Sequence, residues 1–60
     1  MENDRLLLVV EDDAAFARTL DRSFRRRGYT VLVAANLEEV MGLLQTHRTD
    51  YAVVDLSLSG

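Results

Sequence analysis

The sequence has 60 residues, no cysteine and no proline, and its net charge at pH 7 is −3. This length allows one small domain with a marginal core, and the lack of cysteine excludes disulfides and thiolate metal sites. All seven basic residues are arginines, so lysine chemistry is excluded within the chain, and the acidic balance argues against a nucleic-acid-binding surface.

The first predicted element is a strand that starts at Arg5 or Leu6 and ends at Val10. An unbroken run of Leu and Val of this length is typical of a strand buried on both faces of a parallel sheet. The run is far shorter than the roughly 20 residues of a membrane span, and no basic leader precedes it. The sequence therefore predicts a cytoplasmic protein without a membrane segment.

Three acids, Glu11, Asp12 and Asp13, follow this strand directly. Like charges this close together cost free energy, which favours a role in cation binding or catalysis. Asp13 is also a good N-cap for the first helix, which the apolar spacing predicts over residues 14–27. The apolar face of that helix, expected in the core, consists of Phe16, Leu20 and Phe24, with Ala17 beside them.

Three arginines at residues 25–27 end the first helix, just before Gly28. A basic run can indicate a nucleic-acid site. Positive side chains near a helix C-terminus also complement the helix dipole, and glycine is a common left-handed stop. A solvated helix end is therefore the favoured interpretation.

Two more strands and one helix complete the chain. The second strand is predicted over residues 29–34, and the third over residues 51–56. Between them Asn36 is the predicted N-cap of a helix, with Glu39 as its capping-box partner. The apolar stripe of that helix, expected to pack on the other side of the sheet, consists of Leu37, Val40, Met41 and Leu44. The order β-α-β-α-β predicts an α/β fold, half of a doubly wound parallel sheet.

The carboxyl ends of the first and third strands are the predicted site. In open parallel sheets, ligands bind outside these ends, at the point where the winding reverses. If the strand order is 2-1-3, Glu11, Asp12 and Asp55 converge there. Carboxylates without His or Cys favour a hard cation such as Mg²⁺. Asp55 is the only acid in the third strand, so it is the candidate nucleophile for an aspartyl-phosphate.

Residues 9–13, 28–31, 34 and 50–56 together resemble the receiver domain of bacterial two-component response regulators. More narrowly, the chain is similar to the RegA-type redox global regulators, which share its lack of proline after the acid at the end of the third strand. The resemblance implies a flavodoxin-like fold truncated to β1-α1-β2-α2-β3. Residues 1–60 are accordingly expected to be the N-terminal half of a receiver domain, with no effector domain.

The resemblance also implies a role for each acid of the site. Asp55 would be the phosphoacceptor; Asp12 would bind Mg²⁺ directly, Glu11 through water, and Ser57 through its backbone carbonyl. A sensor histidine kinase would be the partner, and the output would be transcription. The family's switch Ser/Thr and its lysine have no counterpart in the 60 residues, so phosphotransfer by this fragment is expected to be deficient. DNA contact would come only from a further domain.

Three alternatives remain open. The first is a self-associating half-domain that dimerises through the exposed edge of the third strand or through a bare sheet face. The second is a phosphatase that uses Asp55 as its nucleophile, although such enzymes commonly carry another acid shortly afterwards and residues 56–60 contain none. The third, a nucleotide-binding fold, is weakened because no glycine-rich turn follows the first strand.

Overall fold

The computed structural model describes residues 5–54, which form five elements in the predicted order. They are β1 (Leu6–Val10), α1 (Ala14–Arg26), β2 (Thr30–Ala34), α2 (Leu37–Thr46) and β3 (Tyr51–Val54). The strands are parallel and lie in the order β2-β1-β3, so the predicted α/β arrangement with strand order 2-1-3 is confirmed. The second strand begins one residue later than predicted, and residues 55 and 56 lie outside the described residues.

β1 is the central strand, and its alternate side chains build a core on each face of the sheet. The cluster on the α1 side contains Leu7, Val9 and Val31, against which Leu20, Phe24, Tyr29 and Val53 pack. The cluster on the α2 side contains Leu8, Val10 and Ala34, against which Leu32, Val40 and Leu43 pack. Burial on both faces explains why β1 is an unbroken aliphatic run and not an alternating one.

α1 begins at its predicted cap. The Asp13 carboxylate accepts hydrogen bonds from the backbone N–H groups of Ala15 (3.0 Å) and Phe16 (3.1 Å), which satisfies two donors that the first helical turn leaves free. Past the helix end, Gly28 adopts a φ of 95°, as the glycine stop predicts. The prediction that Phe16 is a core residue is wrong: Phe16 is exposed, and the neighbouring Ala17 is buried because it faces the sheet about 100° further round the helix.

α2 begins after Asn36, whose side chain accepts from the Glu39 N–H at 2.9 Å. Glu39 reaches back as a capping-box residue does, but it accepts from the Ala35 N–H at 2.7 Å, one residue before the cap. The predicted cap is thus confirmed, with its partner shifted by one position. Across residues 5–54, no helix is long and apolar enough to cross a membrane.

The predicted core stripe of α2 is partly wrong. Leu37 is 73% exposed, Met41 is 60% exposed, and Leu44 is also exposed. Val40 packs on the sheet as predicted, and Leu43, which lies outside the predicted stripe, packs there too. Leu37 and Leu44 line an open apolar groove of about 350 Å³ beside β3, together with Ala52 and Val54. The side of α2 that faces this groove is apolar, as a surface buried in a core would be, but nothing within residues 5–54 packs on it.

Candidate functional site

The neighbouring strands β1 and β3 end at the same edge of the sheet. Val10 lies opposite Val54 in a parallel ladder, and Glu11 and Asp12 follow Val10 directly. The predicted reversal of winding therefore falls between these two strands, as the strand order requires. Asp55 and Ser57, the other predicted site residues, lie outside the described residues.

Of the acids of the site that the structure describes, Glu11 is the most enclosed, with only 3% of its surface exposed. Its backbone N–H donates to the carbonyl of Ala34 at 2.9 Å, so the ladder between β1 and β2 continues one residue past β1. Its carboxylate oxygen Oε2 accepts from the Asp13 N–H at 3.0 Å. The Glu11 side chain is thus fixed at the base of the loop that joins β1 to α1.

Asp12 and Asp13 sit in the same loop but differ in what their carboxylates do. Asp13 is the N-cap of α1, as predicted, and its Oδ1 is engaged by two backbone N–H groups. Asp12 is exposed, so its carboxylate is open to a ligand from solvent. The three adjacent acids therefore have three different environments: one is buried, one is open and one holds the helix.

An acidic cleft of about 270 Å³ lies beside these acids, between the start of α1 and the end of β2. Its charged lining residues are Glu11, Asp12, Asp21, Glu39 and Arg18. Acids outnumber bases four to one among these residues, and a cleft lined by one sign of charge concentrates the opposite ion. Sequence reasoning did not place Asp21, Glu39 or Arg18 near the site, since only the fold brings them to it. The capping-box spacing of Glu39 predicted only that it lies at the start of the second helix.

The donor chemistry at this edge fits Mg²⁺. Within residues 5–54, no group of three or more His, Cys, Asp or Glu side chains is arranged to hold a metal ion, and the predicted set also needs Asp55 and Ser57. The described part supplies two carboxylates, one buried and one exposed. Mg²⁺ takes oxygen donors, commonly binds only one or two carboxylates and keeps several waters. Glu11 and Asp12 therefore match the described half of such a site.

Comparison with known proteins gives one family and several relatives. The family model of the response regulator receiver domain matches residues 7–60. The acid tolerance regulatory protein ActR of Rhizobium meliloti is 41% identical over 56 residues, which is 93% of this chain and 29% of the relative. The photosynthetic apparatus regulatory protein RegA of Rhodobacter capsulatus is 38% identical over 56 residues, 93% of this chain and 30% of the relative.

A third relative, the transcriptional regulatory protein AfsQ1 of Streptomyces coelicolor, is 41% identical over 54 residues, 90% of this chain and 24% of the relative. The chain thus spans less than a third of the length of the curated relatives that it matches. No solved structure shows a significant match.

Proposed function

Because the chain belongs to the response regulator receiver domain family, we propose that Asp55 is its phosphoacceptor, with a sensor histidine kinase as the donor. The supporting observation is the position of Glu11 and Asp12 at the sheet edge where β3 ends at Val54, one residue before Asp55 in the chain. Phosphorylation adds negative charge, which biases a domain between two conformations. The output of the whole protein is control of transcription.

The proposed transfer needs one nucleophile and charge neutralisation. A carboxylate oxygen of Asp55 attacks the donor's phosphorus, and the bond from phosphorus to the leaving group breaks, so that the leaving group takes the electron pair. Bound Mg²⁺ would neutralise charge on the transferring phosphoryl group. Asp12 would hold the ion directly, Glu11 through water, and Asp55 and the Ser57 carbonyl would complete the set.

The protein acts in this proposal as the acceptor in a phosphorelay and not as an enzyme with a substrate of its own. It works in the cytoplasm, where the kinase's phosphohistidine is available. This stretch of chain contacts no DNA; the contact belongs to another part of the whole protein. These assignments rest on family membership, and AfsQ1 is itself named a transcriptional regulator.

The role of Asp55 is tested by incubating this chain with Mg²⁺ and a small-molecule phosphodonor. We expect a single phosphoryl adduct by intact-mass spectrometry, formed slowly because none of the 60 residues is a lysine. Asp55→Asn should abolish the adduct, since an amide cannot form the acyl phosphate, and chelation of Mg²⁺ should suppress it. An adduct that survives Asp55→Asn would place the phosphoryl group elsewhere and contradict the proposal.

Self-association of this chain through β3 is a second candidate function. β3 is a terminal strand of the sheet that residues 5–54 form, and its residue Val54 is 52% exposed. The apolar groove beside it, lined by Leu37, Leu44 and Ala52 among others, adds to this open surface. Exposed apolar edges recruit another chain, and a twofold axis would join two copies of the same edge.

Sedimentation velocity at micromolar concentration tests this association, and a homodimer or larger assembly is the expected result. Amide exchange locates the contact. Asp50 donates its N–H to the Leu6 carbonyl of β1, so the alternate residues Tyr51 and Val53 direct their backbone groups to the free side. Their amides should become protected in the assembly. A folded monomer at these concentrations would rule the association out.

A further inference from the structure

The free edge of β2 differs from that of β3 because it stays an edge when more strands are added. In the flavodoxin-like order 2-1-3-4-5, further strands extend the sheet beyond β3 and leave β2 terminal. β2 is terminal in the described sheet as well. An unprotected terminal strand is a template for pairing with another chain, and proteins commonly block such edges.

The hydrogen bonds of β2 show which of its backbone groups face outward. The Thr30 N–H donates to the Arg5 carbonyl, and the Ala34 carbonyl accepts from the Glu11 N–H, so the even-numbered residues pair with β1. Successive residues of a strand point their backbone groups to opposite sides. Val31 and Val33 therefore direct their N–H and C=O groups away from the sheet.

Arg25, near the end of α1, covers this outer edge. Its guanidinium nitrogen Nη2 donates to the Val31 carbonyl at 3.1 Å, although Val31 belongs to a different element. Its Nε donates to Oδ1 of Asp21, one helical turn earlier, at 2.5 Å. Asp21 thereby orients Arg25 across β2. The other arginines of the basic run differ: Arg27 bonds back to Ser23 within the helix region, and Arg26 makes no hydrogen bond to β2 within residues 5–54.

We propose that Arg25, held by Asp21, is an autoinhibitory contact that keeps β2 from pairing with β2 of a second copy. The Val31 carbonyl is an acceptor that an incoming strand would use, and the Arg25 side chain lies in the path of that strand. A second copy is the fitting occupant, because two identical strand edges related by a twofold axis are self-complementary. The contact therefore governs a surface that the proposed function does not use.

Arg25→Ala tests the proposal against Arg22→Ala, which removes the same charge from an exposed position of α1 that has no described contact with β2. At matched concentration, Arg25→Ala should sediment with a higher average mass than Arg22→Ala. Exchange of the Val31 and Val33 amides should slow by about tenfold or more in the assembled fraction, as pairing protects them. Asp21→Ala should shift both readouts in the same direction by a smaller amount.

The two readouts separate this proposal from association through β3, which would protect Tyr51 and Val53 instead. Equal sedimentation of Arg25→Ala and Arg22→Ala would overturn the proposal. The proposal would also be overturned if Arg25→Ala forms a larger assembly than Arg22→Ala but its Val31 and Val33 amides exchange no more slowly than those of Arg22→Ala. Urea unfolding controls for a general loss of stability: an exposed ion pair contributes little, so the midpoint of Arg25→Ala should fall by no more than about 0.5 M.

Discussion

Leu8→Ala is expected to destabilise the chain by about 2–5 kcal/mol, the usual cost of truncating a buried leucine. Leu8 lies in the middle of the central strand, is only 2% exposed, and packs in the cluster on the α2 side. At about 0.05–0.15 kcal/mol per residue, 60 residues have a total stability of about 3–9 kcal/mol. The Leu8 side chain thus accounts for a large share of the total free energy of unfolding. Urea unfolding of Leu8→Ala should show a midpoint lower by about 2 M or more.

Leu37→Ala is the matched control, because it makes the same chemical change at a side chain that is 73% exposed. Surface substitutions usually change stability by less than about 0.5 kcal/mol, so its midpoint should stay close to that of the unaltered chain. A midpoint for Leu8→Ala that stays at the value of the unaltered chain would show that β1 is not the centre of the core. A loss at Leu37 as large as that at Leu8 would show that the groove beside β3 is covered in solution.

The elements and their order were predictable because each depends on a local pattern. The aliphatic run before Glu11 is typical of a strand buried on both faces, and Asp13 and Asn36 had the positions and side chains of helix caps. Alternating strands and helices left few topologies, since crossovers between parallel strands are right-handed. Strand order 2-1-3 follows from the hypothesis that the acids after the first and third strands share one edge and from the resemblance to receiver domains, and the described sheet has that order.

Which side chains a helix buries was less predictable. An apolar stripe on α2 can be read from its spacing, but the spacing does not tell how far the sheet extends beneath it. In the structure, Val40 and Leu43 pack against the sheet, while Met41 is exposed. The hydrogen bond from Arg25 to Val31 could not be predicted from the sequence either, because it joins two elements whose relative position only the fold defines.

The candidate site also has a part that the sequence predicts and a part that only the fold defines. Its residues were identified from motif and resemblance, and the structure then assigns different surroundings to the three adjacent acids. No sequence pattern indicated that Glu11 would be buried with its carboxylate on the Asp13 N–H, since that depends on the conformation of the loop between β1 and α1. The metal-binding roles of Glu11, Asp12, Asp55 and Ser57 remain predictions, and the exposed Asp12 offers the most direct test.

Asp12→Asn should reduce phosphoryl-adduct formation at Asp55 by about tenfold or more at limiting Mg²⁺. Even groups that only orient a metal ligand change metal affinity by about 10–100-fold, and Asp12 is the proposed direct ligand. The substitution keeps the size of the side chain but removes the charge that attracts the ion. The measurement is the initial rate of adduct formation against Mg²⁺ concentration, and the expected result is a curve shifted to higher Mg²⁺.

Asp13→Asn is the matched control, since it makes the same change one residue along the loop. Asparagine is as good an N-cap as aspartate, and the Asp13 oxygen that accepts from Ala15 and Phe16 is replaced by an amide oxygen that can do the same. Its Mg²⁺ dependence should therefore follow that of the unaltered chain. If both substitutions shift the curve equally, the effect comes from the net charge of the cleft and not from a ligand at Asp12. If neither shifts it, Asp12 does not bind the ion, and the exposed acid of this loop has another role.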